Sequence, residues 1–205
     1  PQTSVSAHVR ESGEIPKTLY VANLAVFNVD GRMVGELNHT ETLGLVWIRG
    51  WAHRRTIQVS DPVNETMESV TLQLRESTSR TKVNIGNDGL PRFEIQIETI
   101  VDVAEHFGVD KGLDRTWYLN SIQKRANTRI ENEIKAAVKK AQSLNVDILQ
   151  FSEELRRQNP QKWKSIHTNW HDVFPMVEIT VKSKNRIRTR GMLVENPDKN
   201  LKEIY

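Results

Sequence analysis

The sequence predicts an α+β domain: a mainly antiparallel sheet packed against one long helix, with two short helices before the last strand. Three observations predict it. Strand-like apolar runs fill the first half; an apolar stripe at steps of three and four runs from Leu119 to Leu144; and Pro175 is followed by one long strand-like run to Thr189. The 205 residues are 37% hydrophobic and 27% charged, which suits a single core. The divisions read as a linker or entry segment over 1–17, one domain over 18–191 and a tail over 192–205.

Leu19 to Val29 is apolar at both parities, the pattern of a strand buried on two sides, and Val29-Asp30-Gly31-Arg32 follows it as a tight turn. Asn38 with Glu41 three residues on makes a capping box, so a helix is expected from His39 to Arg49, ending at Gly50, with Trp47 facing the core. Three strands should follow, over Thr56–Ser60, Ser69–Glu76 and Thr81–Ile85. Gly86-Asn87-Asp88-Gly89 turns the last of these into the longest strand. There Phe93, Ile95, Ile97, Val101 and Val103 share a buried face, and Glu94, Gln96, Glu98 and Asp102 a wet one.

A loop over 108–112 precedes a helix starting near Thr116, whose apolar stripe includes Ile122, Ala126, Ile130, Ile134, Val138 and Ala141. Its other face carries Arg125, Arg129, Lys135, Lys139 and Lys140, with Glu131 placed to pair with Lys135. Val146–Gln158 and Pro160–Trp170 read as two further helices, with Pro160 in a first turn, before the strand from Met176 to Thr189. Ile148, Phe151, Leu155, Trp163, Trp170 and Phe174 are expected to build core against the long helix. Trp47 and Trp117 are likewise read as core pieces rather than a ligand cage.

The net charge is only +3, so the distribution of charge matters more than its sum. With no cysteine, this stretch has no disulfide, thiolate metal site, thiol nucleophile or lipidated cysteine of its own. No apolar run approaches the roughly 18–20 residues that cross a bilayer. Beginning at Pro1 without an initiator Met, the chain reads as a fragment or processed product of a longer protein.

No G-x-S-x-G elbow, P-loop or G-x-G-x-x-G is present, so hydrolase and nucleotide chemistry have no support, and no cofactor is expected. His167 and His171 stand at i and i+4, a spacing that can face one metal. The HTNWH segment lacks the glutamate of HExxH and a third ligand, so the two read as surface or interface histidines and no metal is expected. The stronger candidate is the last strand. Lys182, Lys184, Arg186, Arg188 and Arg190 all fall on even positions and project to one side, with Ile179, Val181 and Ile187 to the other. Edge-strand protection is one explanation. Anionic lipid head groups or an acidic partner surface are the others; nucleic acid is not expected, because no aromatic residue interleaves the cations.

Two separated motifs give the chain a family. Gly35, Leu37, Glu41, Thr42, Gly44, Leu45, Trp47 and Gly50 form the first, within GELNHTETLGLVWIRG. Val146, Asp147, Phe151, Pro160, Trp163, Trp170, Phe174, Pro175 and Gly191 form the second. Together they resemble the C-terminal domain of the spore germination C subunits, the Ger(x)C lipoproteins of nutrient germinant receptors, over about Leu19 to Gly191. The resemblance implies a non-enzymatic receptor subunit on the outer face of the spore inner membrane. It would be lipid-anchored in the full-length parent, partnered by an integral-membrane A subunit and a B subunit, and required for nutrient-triggered germination; the basic strand adds an anionic membrane surface as a further expected partner. It transfers no catalytic residue. The alternative reading is a direct nutrient- or metal-binding domain, or an enzyme of unknown activity.

Overall fold

The computed structural model describes residues 23–63, 69–106 and 116–189. The expected entry segment, the loop over 108–112, the tail, Arg190 and Gly191 lie outside the described residues.

The chain opens with an antiparallel pair, β1 (Leu24–Phe27) and β2 (Met33–Leu37). In the turn between them Asn28 Oδ1 accepts from the amides of Asp30 at 3.1 Å and Arg32 at 2.9 Å, and Gly31 takes φ +75°. The described part of the first apolar run is not buried on two sides: Leu24 is 44% and Phe27 55% exposed, and within β1 only Val26 is buried. Leu144, from the end of the long helix, meets β2 at Gly35.

The helix α1 (His39–Ile48) forms with both halves of its capping box: Glu41 N–H donates to Asn38 Oδ1 at 3.0 Å, and Asn38 N–H to Glu41 Oε2 at 2.8 Å. Gly50 takes φ +67° just beyond its end, and Trp47 is fully buried.

Next come β3 (Thr56–Ser60), β4 (Ser69–Ile85), β5 (Pro91–His106) and, at the end, β6 (Glu178–Thr189), in the sheet order β3-β4-β5-β6. The two strands expected over 69–85 are one. Register shifts at Thr71/Leu72 and Leu74/Glu76 interrupt its pairing with β5. Val70, Leu72 and Leu74 point inward. Arg75 and Glu76 are then both exposed, and Ser77, Ser79, Thr81 and Val83 take the inward positions. A bulge of this kind inverts the parity, which in sequence looks like a broken strand. The β4–β5 turn is the expected one, with Gly89 N–H bonded to Gly86 O and Gly86 N–H to Leu90 O, both at 2.9 Å.

Three of the four strand pairings are antiparallel; β6 joins β5 in parallel. Parallel neighbours need a crossover. The helices supply it. The long helix α2 (Thr116–Leu144) buries Ile122, Ala126, Ile130, Ile134, Ala137, Val138 and Ala141 beneath the sheet, between β6, β3 and α1. Glu131, expected to pair with Lys135, instead accepts from Ser183 N–H of β6 at 3.0 Å.

The expected helices over 146–158 and 160–170 are shorter and more divided: α3 (Phe151–Gln158), α4 (Pro160–Ile166), a 3₁₀ turn at His167–Asn169, α5 (Trp170–Val173) and a second 3₁₀ turn at Phe174–Met176. Gln150 at φ +63° blocks helix before Phe151. Pro160 stands at the start of α4, where its missing N–H costs nothing. Phe93 of β5 packs tilted against Phe151 at 4.7 Å and meets Trp170 edge-on at 6.4 Å, and Trp163 and Phe174 close the cluster around Trp170. The aromatics of the second motif thus pack on the sheet through Phe93. They also share one core with Ile134, Val138 and Ala141 of α2, whose Gln142 amide donates to the Phe174 and Val177 carbonyls at 3.2 and 3.0 Å. Trp117 is not a core residue: it is 49% exposed, edge-on to buried Tyr118.

Candidate functional site

Alternation along β6 puts Lys182, Lys184, Arg186 and Arg188 in solvent on the face of the sheet away from α2, while Val181, Ser183, Asn185 and Ile187 turn inward. The four described cations of the basic run therefore share a face. What the sequence did not show is their neighbour. Parallel register sets Lys182 beside Gln96, Lys184 beside Glu98 and Arg186 beside Ile100 of β5. Lys182 Nζ reaches Glu94 Oε2 at 3.0 Å, and Arg188 grips Asp102 through Nη2 and Nε at 3.0 and 3.2 Å.

Asp102, expected on the wet side, is only 7% exposed, because Arg75 closes over it from β4 at 2.6 Å. The Gln96 side-chain amide and then Lys182 hold the Glu94 carboxyl below the usual carboxylate range. The hydrogen bond and charge of Asp102 raise the Arg188 guanidinium above its ordinary value. Two of the four cations are thus matched within the sheet. Lys184 and Arg186 form no ion pair among the described residues, nor do Arg80 and Lys82 across β5. The result is a flat face with an acidic centre and cationic flanks. Charges about 7 Å apart on an open sheet suit a broad anionic surface better than one small ligand.

The outer edge of β6 is not bare. Asn127 and Glu131 of α2 accept the backbone N–H groups of Asn185 at 2.7 Å and Ser183 at 3.0 Å. Edge protection is therefore already supplied there by the helix, which weakens it as the whole reason for the cations. Asn185 is buried and also bonded to Thr99. Its inward parity was the available signal for that polar contact.

His167 and His171 each bond to a different neighbour. His167 opens the 3₁₀ turn and His171 lies in α5; His167 Nδ1 lies 3.1 Å from Lys164 O and His171 Nε2 lies 2.8 Å from Asn145 Nδ2. Among the described residues no group of three or more His, Cys, Asp or Glu is placed to hold a metal.

The first motif converges on a buried polar centre that sequence reading missed. Trp47 Nε1 donates to Glu133 Oε2 at 2.7 Å, Arg129 Nε donates to Glu133 Oε1 at 3.1 Å, and the Arg55 guanidinium lies 4.8 Å above the Trp47 ring. Burial lowers the Arg55 pKa, while the charge of Glu133 opposes the shift. Gly44 lets α1 touch α2 here: a Cβ would stand 2.1 Å from the Glu133 carbonyl oxygen. In the second motif Asp147 accepts from the amides of Phe151 at 2.9 Å and Ser152 at 2.7 Å and from Trp170 Nε1 at 3.2 Å. Burial pushes its carboxyl above the ordinary value against the pull of these donors. Residues of both motifs thus build the scaffold.

A family model described as spore germination B3/GerAC-like, C-terminal, matches residues 22–191. Spore germination protein YndF of Bacillus subtilis (strain 168) is 30% identical over 154 residues, 73% of this chain and 36% of that protein. Spore germination protein KC of the same organism is 28% identical over 188 residues, 90% of this chain and 44% of that protein. The crystal structure of the GerBC protein has the same fold, with a TM-score of 0.69 at 22% identity over 89% of this chain and 55% of that one. The chain spans less than half the length of these curated relatives.

Proposed function

Because the chain belongs to the spore germination B3/GerAC-like C-terminal family, we propose that it works as the C-terminal domain of a germinant-receptor C subunit. It acts without catalysis, by assembling with the membrane-embedded A and B subunits at the outer face of the spore inner membrane, where a lipid anchor elsewhere in the parent protein holds it. The observation that carries this reading is the division of labour within the fold. Residues of both family motifs, among them Gly44, Trp47, Asp147 and Trp170, are spent on packing and hydrogen bonds. The solvent-facing sheet keeps Lys184 and Arg186 without ion-pair partners among the described residues. That face, continued by Arg190 in sequence, meets the anionic membrane surface beside the receptor, where each Lys or Arg near the surface adds about 1 kcal/mol. No helix among the described residues is long and apolar enough to cross a membrane, so contact from outside the bilayer is consistent with the fold.

The test is made in spores carrying the full-length parent protein. With Lys184→Glu and Arg186→Glu, nutrient-triggered germination should slow while the subunit is retained at its normal level. Germination at the wild-type rate would sink the proposal. A thermal-shift screen of the domain with amino acids, sugars and divalent metals separates this reading from a direct ligand-binding role, since a true ligand raises the melting temperature by mass action.

A further inference from the structure

Away from the cationic sheet face, β3 is the other edge of the four-stranded sheet, and among the described residues no strand pairs with its outer side. Arg55 O accepts from Leu74 N–H at 2.8 Å, and Ile57 and Val59 stand opposite Leu72 and Val70 in the same register. Antiparallel alternation then directs the backbone groups of Thr56, Gln58 and Ser60 away from β4, toward the outer side. The Arg129 guanidinium meets the Gln58 carbonyl there, at 2.5 Å. Facing this edge across a groove of about 760 Å³ is the flank of α2 that carries Lys124, Arg125, Thr128 and Arg129. A five-residue strand is about 17 Å long, and the helical stretch from Ser121 to Asn132 about the same. The groove therefore has the dimensions of a short extended segment.

We propose that this groove receives an extended, acidic polypeptide segment of a partner protein, which adds to the sheet as a strand along β3. Strand addition draws its affinity from backbone bonds and its selectivity from side chains lining the groove. Here the lining selects for carboxylates. Lys124 has no ion-pair partner among the described residues. Arg129 Nη1 rests on a neutral carbonyl, while Arg125 already holds the Ser60 hydroxyl at 2.8 Å beside a further interaction and adds only its charge to the groove. An incoming Asp or Glu offers the Arg129 terminal nitrogens a charge-assisted bond in place of a neutral one, while Arg129 Nε stays on Glu133. Moving that terminus aside releases the Gln58 carbonyl for a strand. In the unbound protein the same two arginines blunt an edge that would otherwise pair at random.

The probe is a phage-displayed library of random twelve-residue peptides panned against the 205-residue chain. Enriched peptides should be acidic, should shift the backbone amide resonances of Thr56, Gln58 and Ser60, and should bind more weakly as salt rises. Lys124→Glu, at an exposed position, should weaken them at least about tenfold by added repulsion. Gln58→Pro should do the same by deleting an outward N–H at an edge position, where proline is tolerated. Lys184→Glu on the far sheet face should leave binding unchanged, and melting curves report that each variant folds. No enrichment, enrichment of neutral or basic peptides, or acidic peptides indifferent to Lys124→Glu would overturn the proposal. None of these results depends on the germination outcome for the other face.

Discussion

Gly44 is the position where α1 and α2 come closest. A methyl group there would stand 2.1 Å from the Glu133 carbonyl oxygen and 2.7 Å from Ala137 Cβ, both parts of a buried helix that cannot yield cheaply. Gly44→Ala should therefore destabilise the domain by about 3 kcal/mol, at the upper end of ordinary overpacking, read as a lower denaturation midpoint at unchanged slope. Trp47, three residues on, carries a separable contribution. Trp47→Phe keeps most of the ring but removes the donor to Glu133 Oε2, leaving a buried carboxylate short of a partner at about 1–3 kcal/mol. Adding Glu133→Gln to Trp47→Phe should recover part of that loss in a double-mutant cycle. Gly44 and Trp47 were legible as a motif, but their partner was not. Glu133 lies 86 residues from Trp47 in sequence and falls four residues after Arg129 on α2, where a carboxylate reads as an ordinary solvated pair.

At the scale of elements, the sequence showed periods more reliably than their interruptions. Hydrophobic steps of three and four located α2, and the Asn38–Glu41 box located α1, because both signals are local. The bulge in β4 and the left-handed Gln150 before α3 are also local in geometry, but no glycine or proline marks them. Asp147 shows why α3 begins where it does: its carboxylate takes the Phe151 and Ser152 amides that a helix start leaves without partners. Its pKa makes that role testable. Burial raises the folded-state value above the ordinary 3.8, so the folded protein holds this proton more tightly than the unfolded chain. The resulting stabilisation is complete below the ordinary carboxylate pKa and is lost as pH rises through the raised folded value. The melting temperature of the wild type relative to Asp147→Asn, which cannot titrate, should therefore fall as pH rises from about 3 through that window. Taking the difference removes the opposite contributions of Glu94 and Glu153, whose values are lowered.

Over the whole molecule, parity along β6 was readable without a structure, while the charge balance of its face was not. Which cations are neutralised depends on β5, and β5 and β6 are brought side by side only after the entire helical crossover. That pairing separates two classes of cation that look identical in sequence. Lys182 and Arg188 spend their charge on Glu94 and Asp102; Lys184 and Arg186 do not. On vesicles containing anionic lipid, Lys184→Gln with Arg186→Gln should weaken binding of the domain by about 2 kcal/mol, on the order of 30-fold, at about 1 kcal/mol for each cation. The same exchange at Lys182 and Arg188 should cost less, because those side chains are held on Glu94 and Asp102 instead of reaching the lipid, an effect that outweighs the repulsion from the two carboxylates that the exchange releases. It should further lower stability, since Asp102 would keep Arg75 but lose its second guanidinium. Co-sedimentation at low and high salt measures the first effect and thermal melting the second. Equal loss of binding from the two pairs would mean that the face acts through its total charge, with no distinction between matched and unmatched cations.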